Sequence, residues 1–153
     1  MQKQTNNQVH ALTKNNTDIA NCIITSVEIT NVASNSTISS QGIWDTGATS
    51  SVVTKSAASV LGLIPIGKAK VRGVHGVRDV NEYFVRITLD NKNITLQTSV
   101  TECDELSNDN SVGMLLGMNI ITLGDFAITN YQGNTTMSFR VPSLQKIDFV
   151  KQQ

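Results

Sequence analysis

Residues 43 to 50 read Ile43-Trp44-Asp45-Thr46-Gly47-Ala48-Thr49-Ser50. An aspartate follows two large apolar residues, and a glycine follows two positions later. Strand interiors disfavour Asp, so this carboxylate ends a strand and enters a tight turn. Gly47 allows the backbone to approach closely there. Thr46 supplies a hydroxyl that can hold the turn, and backbone N–H groups can point at the carboxylate. On the triplet alone, an Asx-turn in which Asp45 only caps its own backbone is the plainer reading. Val52 and Val53 continue the apolar pattern after the turn.

The surroundings are strand-rich. Cys22 to Thr30 is β-branched and partly alternating, and Ser36 to Asp45 forms a second strand. Thr54 to Leu61 is a short helix, with Thr54 as its cap and Gly62 at the left-handed position after it. Lys68 to Val74 and Val77 to Leu89 form a long β-hairpin with His75-Gly76 at its tip. Ile94 to Val100 and Met114 to Gly117 are further strands, and Met118 to Leu123 makes a helical turn or two. Asp125 to Asn130 and Thr135 to Val141 pair around Tyr131-Gln132-Gly133-Asn134. About eight short strands, one short helix and one helical turn give an all-β barrel or sandwich rather than an alternating β/α fold. Residues 1–20 are polar and read as a flexible arm, or one that orders against a partner. Residues 21–142 form the domain, and residues 143–153 a C-terminal tail.

Composition narrows the function. The chain has 153 residues, 12 Lys plus Arg and 12 Asp plus Glu, with no net charge. That disfavours nucleic-acid and polybasic membrane-surface partners. Charged residues are 16 %, against about 25 % in an average protein. Ser, Thr and Asn number 14, 17 and 15, which suits strands and turns. Two cysteines, Cys22 and Cys103, are too few for a disulfide scaffold and read as free thiols in a reducing compartment. No apolar run reaches the ~18 residues of a membrane span, and the N-terminus lacks an apolar signal core. The expected location is therefore cytoplasmic. With His10 and His75 far apart in sequence and no Cys-x-x-Cys, neither a metal nor another cofactor is expected.

Three features stand in a particular order: the apolar-apolar-Asp-Thr-Gly-Ala segment, Gly73-Val74-His75-Gly76 at the hairpin tip, and Leu115-Leu116-Gly117 before Met118-Asn119. Together they resemble the retropepsin-like (retroviral-type) aspartic proteases over roughly Ile23 to Val141. The resemblance implies a closed or partly closed acid-protease-type β-barrel with a flap hairpin. It implies that Asp45 is the catalytic aspartate and that the Thr46 hydroxyl ties two catalytic loops together across a dimer. Gly47 and Ala48 would shape the site floor. Gly73, Val74, His75 and Gly76 would form a flap that closes over a bound peptide. Leu115, Leu116 and Gly117 would be the strand crossing behind the catalytic loop. Ile43, alternating to the face opposite Trp44, is the candidate pocket wall.

Aspartic protease chemistry needs two carboxylates, one to accept a proton from water and one to donate to the scissile carbonyl. The chain has a single Asp-Thr-Gly and no Asp-Ser-Gly. Asp90 and Asp125 lack the following Thr/Ser-Gly. The resemblance therefore implies a homodimer with one Asp45 from each protomer, acting on a peptide or protein substrate. Thr49 and Met118 stand where many relatives carry an Asp and an Arg that pair, so dimer contacts are expected elsewhere, first in the tail. Two alternatives stay open: a catalytically silent dimer that binds a peptide or partner protein, and a β-barrel subunit with Asp45 as a turn cap.

Overall fold

The computed structural model describes residues 8–73 and 76–151. Twelve elements follow in order: β1 (His10–Asn15), β2 (Ile23–Asn31), β3 (Thr37–Trp44), β4 (Val52–Thr54), α1 (Lys55–Val60), β5 (Gly67–Gly73), β6 (Gly76–Leu89), β7 (Thr95–Cys103), β8 (Val112–Leu116), α2 (Met118–Ile121), β9 (Asp125–Tyr131) and β10 (Asn134–Val141). Strands β2-β3-β8-β4-β7-β6 form a ring, closed by pairing of β6 back onto β2. β5 extends outward on β6. A separate three-stranded sheet has the order β1-β10-β9. The expected all-β barrel, with one short helix and one helical turn, is the observed fold.

Period-two burial fills the barrel. In β2, Ile23, Thr25, Val27 and Ile29 point inward while intervening residues are more exposed. Val85, Ile87 and Leu89 do the same from β6, and Val100, Met114 and Leu116 complete the interior. The same core continues between the barrel and the small sheet. Trp44 stacks on Phe126 at 5.5 Å between ring centroids, and Phe139 lies 5.0 Å from Trp44. The indole N–H of Trp44 donates to Thr25 Oγ1 at 3.0 Å, so the buried ring leaves no unmet donor.

Local chemistry sets the ends of elements. Thr54 Oγ1 accepts from Ala57 N at 3.2 Å and caps α1. Gly62, at φ +59°, then takes the left-handed position. Gln132 and Gly133 both have positive φ, as a two-residue hairpin turn between β9 and β10 demands.

The structure corrects the expectation of a flexible arm over residues 1–20. Order begins well before Ala20: β1 pairs with β10 from His10↔Val141 to Asn15↔Thr136. One buried side chain, Leu12, anchors it. The remaining strand is held by the backbone ladder and by polar cross-strand contacts such as Thr13 Oγ1 to Ser138 Oγ at 2.7 Å. Strand β4 also lies beyond the sequence reading, because three residues are too few to show a period. Among the described residues, no helix is long and apolar enough to cross a membrane.

Candidate active site

Strand β8 lies between β3 and β4. It runs parallel to β3, with Ile43↔Leu115 and Trp44↔Leu116, and antiparallel to β4, with Val52↔Leu115. The chain from Asp45 to Ser51 therefore leaves on one side of β8 and returns on the other, bridging its end. Asp45 N donates to Leu116 O at 3.0 Å, and Met118 N donates to Ala48 O at 2.8 Å. Leu115, Leu116 and Gly117 thus pass directly behind the loop. Gly117 permits this contact: a β-carbon there would meet Ser50 O at 2.7 Å and Ala48 O at 2.9 Å.

Asp45 is half-buried at the strand end. Gly47 N donates to its Oδ1 at 2.7 Å, and Ala48 N approaches its carbonyl at 3.4 Å. The Asx-turn geometry is therefore present, and it fixes the carboxylate rather than hiding it. Thr46 and Gly47 are exposed, and Ala48 is half-buried.

Asp45 and Ile43 open onto the same groove, of about 470 Å³, together with Ile19, Cys22, Ile128 and Asn130. Gly73 and Gly76 pair with each other at the end of the β5–β6 hairpin and do not line that groove. Val74 and His75 lie outside the described residues.

Two residues that the sequence reading passed over hold the loop. Ser51 is fully buried. Its hydroxyl accepts from Gly117 N at 3.0 Å and donates to Asn119 Oδ1 at 2.7 Å. Asn119 Oδ1 also accepts from Ser51 N at 2.8 Å. One side-chain amide thus joins the start of α2 to the end of the Asp45 loop. The available signal was an Asn two places after Gly117; in a chain with 15 Asn it does not stand out.

The hairpin is fastened near its base. β6 and β7 remain paired as far as Glu82↔Thr101. Beyond that, side chains span the gap. Tyr83 Oη donates to Glu102, which also accepts from Asn81. Asp104 accepts from Lys55 at 2.7 Å and from Arg78 at 2.9 Å. The Lys55 hydrogen bond, followed by that from Arg78, pulls the Asp104 carboxyl down to about 2. Burial, with the Glu102 contact second, raises the Tyr83 phenol. Cys103, half-buried beside this cluster, is pushed up to about 11, chiefly by burial. At that value it is an unreactive thiol at neutral pH.

Comparisons with known proteins bear on the family and the fold. A family model described as aspartyl protease matches residues 26–120. A retropepsin-like aspartic protease from Rickettsia conorii superposes with a TM-score of 0.51 at 13 % identity, covering 88 % of this chain and 96 % of that one. Simian Foamy Virus (mac) protease gives a TM-score of 0.44 at 16 % identity, covering 65 % of this chain and 91 % of that one. The retroviral protease-like domain of Ddi1 from Leishmania major gives 0.43 at 15 % identity, covering 83 % and 95 %. The likeness in fold rests on the Rickettsia structure, and at these identities it extends to fold alone. No curated protein sequence matches the chain significantly.

Proposed function

Since the chain belongs to the aspartyl protease family, we propose that it is an aspartic endopeptidase whose site is completed by a second copy of itself. The observation that carries this reading is Asp45: a lone Asp-Thr-Gly carboxylate, fixed by Gly47 N at 2.7 Å and open to a groove.

In the dimer, two Asp45 carboxylates face one another across a twofold axis. Two like charges so close cannot both ionise, so the pair holds one proton between them. The ionised member takes a proton from water, and the water oxygen attacks the scissile carbonyl. The protonated member gives its proton to the carbonyl oxygen, forming a neutral tetrahedral diol. Return of a proton to the amide nitrogen, with loss of a diol proton to a carboxylate, breaks the C–N bond and restores the pair. No covalent enzyme intermediate forms, and no metal is required.

The roles are those that the resemblance to retropepsin-like proteases implies, supported for Ile43 by its place in the Asp45 groove. Ile43 forms a pocket wall, which favours apolar residues at the cut. Thr46, exposed in the single chain, meets its counterpart across the axis. Gly47 and Ala48 shape the floor, and Leu115, Leu116 and Gly117 support it. Gly73 and Gly76, with Val74 and His75 between them, act as the flap and align an extended peptide by main-chain hydrogen bonds. The catalytic domain is residues 21–142 with β1 added, followed by the tail at 143–153. The two cysteines are unpaired, which suits a reducing compartment and a cytoplasmic location.

The test is cleavage of a mixed peptide library between mildly acidic and neutral pH. The wild-type protein cuts, Asp45→Asn does not, and a chelator leaves the rate unchanged. A folded dimer that binds peptides without cutting any of them would instead make this a binding module.

A further inference from the structure

The chain between β1 and β2, residues 16–22, belongs to no helix or strand. It nevertheless forms one wall of the Asp45 groove through Ile19, Ala20, Asn21 and Cys22. A single residue holds its main chain. Asn16 N donates to Thr135 O at 2.9 Å, Thr135 N donates to Asp18 O at 3.0 Å, and Ala20 N donates to Thr135 Oγ1 at 2.9 Å. The first two bonds use the Thr135 backbone and would survive any side chain there. The third needs a hydroxyl.

That hydroxyl is buried and makes a second bond. Ala20 N can only donate, so Thr135 Oγ1 accepts from it, and its own proton goes to Asn130 Oδ1 at 2.6 Å. The hairpin does not require this bond. Asn130 and Thr135 are already opposed in the β9–β10 ladder, and Gln132 and Gly133 supply the turn. What the hydroxyl adds is orientation. It engages the amide oxygen of Asn130, so the NH2 group is the end left to donate elsewhere.

Asn130 also ends an inward-facing row. Phe126, Ile128 and Asn130 share a face with the buried side chains opposite them, Phe139, Met137 and Thr135. Phe126 stacks on Trp44, the residue before Asp45. Ile128 and Asn130 reach the groove itself. Among the described residues, Asp45 is the one charged group lining that groove. An extended peptide offers a carbonyl acceptor at every residue. A neutral amide donor can meet one of them without selecting for charge.

We propose that Asn130 donates from its NH2 group to a main-chain carbonyl of the bound peptide. Thr135 is the positioning residue that orients it and fixes the Ile19 to Cys22 wall beside it. This rests on the reading of the chain as an aspartic endopeptidase.

The experiment measures kcat and KM on the peptide that wild type cuts best in the mixed library. It compares wild type with Thr135→Val, Thr135→Ser, Asn130→Ala and the double variant Thr135→Val/Asn130→Ala. Light scattering and circular dichroism follow assembly and folding. Thr135→Val and Asn130→Ala are each expected to raise KM about 5-fold, as loss of one neutral hydrogen bond does, with kcat within about 2-fold of wild type. Thr135→Ser keeps the hydroxyl and should restore the wild-type KM. The double variant should be no worse than the weaker single one, because Thr135 acts through Asn130. The proposal is overturned if folded variants keep the wild-type KM, if Thr135→Ser fails to rescue, if the two effects add, or if weaker assembly accounts for the lost activity. Should Thr135→Val misfold, Asn130→Ala decides, since that residue is exposed. A wild type that cuts no peptide overturns the protease reading and this proposal with it.

Discussion

A β-carbon on Gly117 would press on the carbonyl oxygens of Ser50 and Ala48 at 2.7 and 2.9 Å. Both are backbone atoms of the Asp45 loop, so neither can rotate away. Gly117→Ala is therefore expected to cost about 1–3 kcal/mol of stability, as overpacking does. Peptide cleavage should fall further than the folded fraction alone explains, because the displaced junction also positions Asp45: Asp45 N donates to Leu116 O and Met118 N to Ala48 O across it. Denaturant melts and kcat/KM on one peptide check the pair of effects. At this scale the sequence was informative where chemistry is rare. A carboxylate after Ile43-Trp44 and a glycine after Leu115-Leu116 each break an apolar run, and each sits at the loop. Ser51 and Asn119 were not legible, because a buried hydroxyl and amide are identical in sequence to the many on the surface.

At the scale of elements, side-chain clasps decide what moves. The β5–β6 hairpin continues past the end of the β6–β7 ladder and is held there by Asp104, shared between Lys55 and Arg78. All three groups are exposed, so the clasp is weak and screened by salt. Asp104→Ala is expected to speed amide exchange in residues 77–81 while leaving 83–89 unchanged, and high salt should reproduce part of that effect in wild type. The Asp104 carboxyl is lowered to about 2. Its contribution is complete above the unfolded value of ~3.9 and fades as pH falls towards 2, so the clasp persists at mildly acidic pH.

The tail has its own anchor. Asp125 accepts from Leu144 N at 2.8 Å, from the Ser143 hydroxyl and from Arg140, and these hydrogen bonds hold its carboxyl well below the usual range. Lowered in the folded state, Asp125 stabilises the tail above the ordinary carboxylate value, and this is lost only in stronger acid. Asp125→Ala should expose Leu144 to Lys151 to proteolysis at neutral pH without unfolding the barrel. Most elements could be read from alternation and turn residues. β1 could not, since only Leu12 of its six residues is buried and its partner strand lies over a hundred residues away. β4 could not, because its three residues have meaning only between β7 and β8.

At the scale of the molecule, one barrel holds one Asp-Thr-Gly. The proposal of a second copy comes from that count together with the two carboxylates that aspartic protease chemistry uses. The central claim is that two chains each supply one Asp45 to a single site. The most direct measurement adds increasing Asp45→Asn protein to a fixed amount of wild type, under conditions where subunits exchange. Mixed dimers hold one carboxylate each, so cleavage should fall towards zero as the variant captures the wild-type chains. Activity that stays constant at a large excess of Asp45→Asn, with mixed dimers shown to form, would contradict the shared site.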